Sequence, residues 1–134
     1  MDRTARAEVA AAPDRCLAVL EDVEGWPRWA RLVRSVERRG GSVRMRAEVL
    51  GLTVEMDCVL ERSADGAVLR RLPNDDADDE RLDAAFTVRP AGSGASVALH
   101  LTAAIDVPGP AGLLRGRIKR RLVDDLVADL AAAM

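Results

Sequence analysis

The stretch that constrains this chain most is its last one, Pro110 to Met134. Leu114, Ile118, Leu122, Leu126 and Leu130 recur every four residues, with Ala111 and Ala133 on the same side. On a helix of 3.6 residues per turn, that spacing makes one apolar stripe that drifts slowly around the surface. Pro110 suits a first helical position, and Pro108-Gly109 breaks whatever precedes it. About 25 residues at about 1.5 Å each make a rod of roughly 37 Å. A rod of that length with one apolar side needs a large apolar surface to lie against, and the rest of the chain has to supply it.

Most of that surface is written as β-strand. Thr4 to Val9 alternates, with Ala5, Ala7 and Val9 on one face. Ala12-Pro13-Asp14 then starts a short helix, with proline at its first position and an acid in its first turn. Cys16, Leu17, Val19 and Leu20 form its apolar side, and it stops near Asp22. A second short helix is expected over Trp26 to Leu32. Neither helix is long enough to be stable alone, so both must dock.

From Val33 the period changes to two. Val33 to Arg38 leads to the Gly40-Gly41 turn; Val43, Met45, Ala47 and Val49 alternate with Arg44, Arg46 and Glu48. Beyond Leu50-Gly51, the set Leu52, Val54, Met56, Cys58 and Leu60 alternates with Thr53, Glu55, Asp57, Val59 and Glu61. One face buried and one solvated is the antiparallel pattern. Asp65-Gly66 signals a hairpin, and Ala67 to Leu72 is the next strand. After the acidic loop Pro73 to Glu80, Leu82, Ala84, Phe86 and Val88 point inward, followed by Val97, Leu99, Leu101, Ala103 and Ile105. The implied fold is α+β: an antiparallel, curved sheet of about seven strands around a long C-terminal helix, with two short helices after the first strand, as a single domain over 1–134.

That order, and the residues in it, resemble the START-like or SRPBCC superfamily with its helix-grip fold, in the polyketide cyclase/dehydrase and coenzyme Q-binding branch. The most specific piece is Ala12-Pro13-Asp14 through Asp22-Val23-Glu24-Gly25-Trp26-Pro27-Arg28-Trp29, similar to that branch's "A-P … D-x-E-x-[YW]-P-x-W" pattern. The second is the exit Asp106-Val107-Pro108-Gly109-Pro110 into the gripped helix. The resemblance implies a cavity between helix and sheet that takes one hydrophobic small molecule: a lipid, isoprenoid, quinone or polyketide. The inward residues agree, being mostly medium-sized aliphatics in a chain with only two tryptophans, one phenylalanine and no tyrosine to fill the space. The candidate ligand-binding set is Arg115, Ile118 and Lys119 on the helix, Met45, Val54, Met56, Phe86, Leu99 and Leu101 on the sheet, and Trp29. Arg115 falls within the apolar stripe, where a cation can snorkel and hold a polar ligand end.

Catalytic chemistry is thinly provided. His100 is the sole histidine, and its parity turns it outward. Asp75, Asp76, Asp78, Asp79 and Glu80 do not have the spacing of a twelve-residue calcium loop. Arg117, Arg120 and Arg121 read as a solvated face, with Arg120–Asp124 and Arg121–Asp125 as pairs along the helix. No nucleophile set, phosphate loop or metal cluster stands out, so neither a cofactor nor a metal is expected. Enzymatic work, if any, would be that of a polyketide aromatase/cyclase or dehydrase; a regulatory or interaction module with a closed core is the other alternative. A net charge of −2 argues against nucleic acid as a partner. No twenty-residue apolar run is present, and two cysteines suit a reducing compartment, so a cytoplasmic protein is expected. Transient contact with a membrane or carrier protein, and a homodimer through exposed sheet edges, are compatible with this reading.

Overall fold

A computed structural model of the chain describes residues 2–49, 51–72, 81–104 and 115–134. Seven strands form one sheet: β1 (Asp2–Val9), β2 (Val33–Arg39), β3 (Ser42–Val49), β4 (Leu52–Ser63), β5 (Gly66–Arg71), β6 (Arg81–Ala91) and β7 (Gly94–Ala104). Every pairing is antiparallel and the order is β1-β7-β6-β5-β4-β3-β2. Strands β2 to β7 form a meander, and β1 closes onto β7. The described residues include two α-helices, α1 (Pro13–Glu21) and α2 (Arg115–Ala133), with a 3-10 helix over Val23–Arg28. This is the helix-grip arrangement. The alternation in the sequence translates directly into it, because period two sends one set of side chains to each face.

The core lies on the concave face. Val43, Met45, Met56, Cys58, Leu69, Ala84, Phe86, Val97, Leu99 and Leu101 are buried there, and Val123, Leu126, Val127 and Leu130 of α2 are buried against them. The buried α2 residues fall at i, i+3, i+4 and i+7, with Leu122 half-buried beside them. The expected start of this helix at Pro110, together with Leu114, lies outside the described residues.

Three expectations change. The second short helix is earlier and tighter than Trp26 to Leu32: a 3-10 turn over Val23–Arg28 that buries Val23, Gly25 and Trp26. The hairpin signalled by Asp65-Gly66 forms between β4 and β5, with its tip one residue earlier. Ser63 pairs with Gly66 across Ala64-Asp65, and Gly66 is already in β5, where a Cβ would collide with the carbonyl oxygen of Phe86. Asp124 reaches Arg3 of β1 at 3.0 Å instead of pairing with Arg120 along its own helix.

Candidate functional site

Register across the sheet places the concave side chains in rows. Met45 lies opposite Met56, Val54 opposite Ala47, Phe86 opposite Leu99, and Leu101 opposite Ala84. All six of the sheet residues expected to meet a ligand therefore share this face. Five are buried and Val54 is half-buried. At its α1 end the face is closed by Trp26, which is 1% exposed. Its indole stacks edge-on against Phe86, with centroids 5.6 Å apart, and its Nε1 donates to the Leu20 carbonyl at 3.0 Å. Trp29 packs beside Trp26 with ring centroids 5.4 Å apart. It is half-buried against the core and also lines an outer groove of about 400 Å³ with Val19, Arg28 and Ala133.

Helix α2 does not cover the whole face. It lies mainly against β1 and β7 and touches β3. A seven-stranded sheet is about 29 Å across, and a helix with its side chains about 10 Å. Of the remaining strands, β5 and β6 are met by α1, which also touches β7, and Trp26 packs on Phe86 of β6. Arg115, Ile118 and Lys119 belong to its first turns, and their side chains lie outside what the structure describes.

Two further inward cations emerge from the structure. Arg3 shares the inward parity of Ala5, Ala7 and Val9, and donates both hydrogen bonds of a clamp to Asp124, at 3.0 and 3.3 Å. Arg71 shares the inward parity of Ala67 and Leu69, and stands opposite Cys58. It is half-buried, with its Nε shut off from solvent. The sequence carries the signal for Arg71, since one more step of the β5 alternation passes through it. Burial pushes the Cys58 thiol up to about 12, with the Arg71 charge acting in the opposite direction. The thiol is therefore neutral at ordinary pH and no nucleophile. Burial likewise raises Cys16.

The convex face is a lattice of charge pairs that includes Arg46, Glu48, Glu55 and Asp57. Arg46 meets Glu55 at 2.9 Å, Arg44 meets Asp57 at 3.1 Å, and Arg34 meets Glu48 at 3.4 Å. The Arg44 guanidinium holds the Asp57 carboxyl below its usual range. His100 is exposed here, with its Nδ1 2.6 Å from the Thr4 hydroxyl. It is on the opposite side of the sheet from the apolar rows. Among the described residues, no group of three or more His, Cys, Asp or Glu is placed to hold a metal, and no helix is long and apolar enough to cross a membrane.

A recess of about 290 Å³ opens at another point of the wall, between the end of α1, the β2–β3 turn and β4. Its lining includes Glu21, Val23, Arg38, Ser42, Cys58 and Arg62.

Comparison with known proteins agrees with this architecture. A protein from Thermus thermophilus superposes with a TM-score of 0.82 at 24% identity, covering 98% of this chain and 95% of that one. The ZhuI aromatase/cyclase from Streptomyces sp. R1128 superposes with a TM-score of 0.81 at 15% identity, covering 99% and 92%. A STAR-related lipid transfer protein from Xanthomonas axonopodis gives 0.73 at 14%, covering 98% and 84%. At these identities the likeness is one of fold. No curated protein matches in sequence. The model of one family, polyketide cyclase/dehydrase and lipid transport, matches residues 2–134. With the matching fold, that places this chain in the polyketide cyclase/dehydrase and lipid transport family.

Proposed function

We propose that the chain binds one hydrophobic small molecule, a lipid, isoprenoid, quinone or polyketide, between α2 and the concave face of the sheet. The observation that carries this reading is the breadth of the buried apolar face, which runs from β3 to β1, against α2 seated on its β1–β7 side and the short α1 meeting β5, β6 and β7. Binding comes from burial of ligand carbon against Met45, Val54, Met56, Phe86, Leu99 and Leu101. Ile118 and Lys119 would meet the ligand from the helix, with Trp29 at the short-helix end. Two cations can hold a polar ligand end: Arg115 in the first turn of α2, and Arg71 on the inward side of β5. An arginine at such a point offers a fork of donors to a carbonyl or carboxylate oxygen.

Carriage is favoured over catalysis because the inward described side chains offer no acid–base pair. Their titratable members are Arg3, engaged with Asp124, Arg71, and a thiol held neutral. Arg71 could polarise a polyketide carbonyl, which keeps aromatase/cyclase or dehydrase work as a second reading. Native mass spectrometry of protein purified from its own cell tests the proposal. The expected result is a retained mass that is lost on denaturation, and Arg115→Ala or Arg71→Met should each weaken retention about tenfold. A protein that carries nothing, and shows no thermal shift with any lipid, quinone or polyketide, would refute it and leave the closed-core module.

A further inference from the structure

The recess beside Cys58 has a structural cause in the sheet. The β3–β4 ladder ends at the Val43–Cys58 pair, whereas β4 runs on to Ser63. From Val59 onward β4 is paired on its β5 side alone. Strand β3 starts at Ser42, directly after the Gly40-Gly41 turn, so the wall of the sheet splits at this point. Cys58 marks where the split reaches the concave face: it lines the recess, yet its side chain is fully buried among the inward rows. Two ion pairs cross the rim. Arg62 of β4 meets Glu21 of α1 at 3.2 Å, and Arg38 of β2 meets Glu24 of the 3-10 helix at 2.6 Å. These pairs tie the short helices to the two sides of the split, and all but the Glu21 side chain are about half exposed or more. Exposed pairs of this kind are weak and screened by salt.

We infer that this split is a second mouth of the concave face, latched by Arg62–Glu21 and Arg38–Glu24, through which small molecules reach the interior without passing the first turns of α2. The opening itself does not depend on what the interior binds. Its use as a ligand entrance rests on the reading proposed above.

Cys58 is the natural reporter, because a neutral, buried thiol reacts only when the wall opens. In a Cys16→Ala background it is the only thiol, so methyl methanethiosulfonate labelling, followed by mass, reads opening directly. Neutralising the latches with Glu21→Gln and Glu24→Gln should speed labelling about tenfold, two exposed pairs acting together, with the thermal midpoint nearly unchanged. Raising the salt concentration should speed the parent and leave the double variant as it is. Swapping one pair as Glu21→Arg with Arg62→Glu should restore slow labelling, which a merely destabilised fold would not do. Labelling that is unchanged by the latch variants, or that rises only in proportion to a lowered midpoint, overturns the inference.

Dodecanoate separates this inference from the functional proposal. If it binds, as seen by native mass, and slows Cys58 labelling, the split leads to the occupied space. If it binds and leaves labelling as fast as before, the interior site stands and the second mouth falls. If it does not bind while the latch variants still speed labelling, the mouth stands and a fatty-acid ligand is excluded.

Discussion

The two flanks of the curved sheet are held in different ways. On the β1–β7 side, α2 presses Val123, Leu126, Val127 and Leu130 into the core, and two acids fasten it. Asp124 takes Arg3 of β1, and Asp129 ties the other end of the helix to the segment before β2, accepting the backbone N–H and Nε of Arg31, each at 2.9 Å. On the β3–β4 side, the equivalent inward residues are Met45, Met56 and Cys58, and the attachments crossing nearby are surface ion pairs. The first flank is ordinary core, closely packed helix against sheet. The second has a soft, methionine-rich surface of the kind that adapts to varied contents. The fold concentrates its rigidity on one side and keeps its adaptable surface on the other.

Truncation should expose that asymmetry most strongly. Leu130→Ala, at a fully buried helix position, is expected to cost about 2–5 kcal/mol in a urea titration. Met56→Ala should cost no more than about 2 kcal/mol if it borders ligand space, since the site is not close-packed around it. The same substitution should also reduce the stabilisation given by a bound lipid. Equal costs at the two positions would mean that the interior is filled throughout, and the contrast between the flanks would collapse.

The clasp at Asp129 is the next test in size. Its side chain is 8% exposed, whereas that of Arg31 is 78% exposed. The valuable partner is therefore the Arg31 backbone N–H, which arginine truncation leaves in place. Asp129→Ala should cost about 1–3 kcal/mol, because a sheltered donor loses its acceptor. Arg31→Ala should cost less than about 1 kcal/mol. The reverse order in a thermal melt would show that the charge pair, and not the backbone bond, holds the helix end.

The sheet is legible in the sequence because its residues alternate with few exceptions from Val43 to Leu101, and a period-two pattern has one simple solution. Less legible are the places where a single residue departs from the apolar set on the inward side. Arg71 continues the parity of Ala67 and Leu69, yet a basic residue at the end of a strand reads as a strand terminus rather than as a member of the row. Arg3 is hidden in the same way, one residue before the alternation becomes visible at Thr4. Helix spacing points Asp124 to Arg120, while its true partner is 121 positions away. The early 3-10 helix has no signature of its own, because tertiary burial of Val23, Gly25 and Trp26 selects it, not its propensity. The split beyond Cys58 depends on strand lengths, which alternation does not define to within one residue.

Alkaline stability separates the flanks by chemistry. The chain has no tyrosine, and Lys119 is its single lysine, so above neutrality the two thiols dominate the titration. In the unfolded chain a thiol ionises near 9, while burial keeps Cys58 protonated to about 12 in the folded state. The unfolded state therefore loses its proton first, and stability falls as pH rises from about 9 toward 12. Cys58→Val should flatten the fall in urea midpoint between about pH 8 and 10.5, with Cys16, also raised by burial, supplying the remainder. A slope unaffected by Cys58→Val would mean that its thiol is already exposed, as it would be if the split stood permanently open.

The smallest effect should come from the convex face. Asp57 is held below its usual range first by the hydrogen bond from Arg44 and then by its charge. Its contribution is therefore present above the unfolded value of about 3.8 and is lost as pH falls through the lower folded value. Both partners are solvated, so Asp57→Asn should move the midpoint at about pH 7 by no more than about 2 °C. The same variant should remove part of the loss seen between about pH 4 and pH 2. Strong salt should shrink the difference further, because an exposed pair is screened. If Asp57→Asn instead cost as much as Asp129→Ala, the convex lattice would be fixing the curvature of the sheet. The β3–β4 flank would then owe its shape to its outer surface, where the β1–β7 flank owes its shape to the helix.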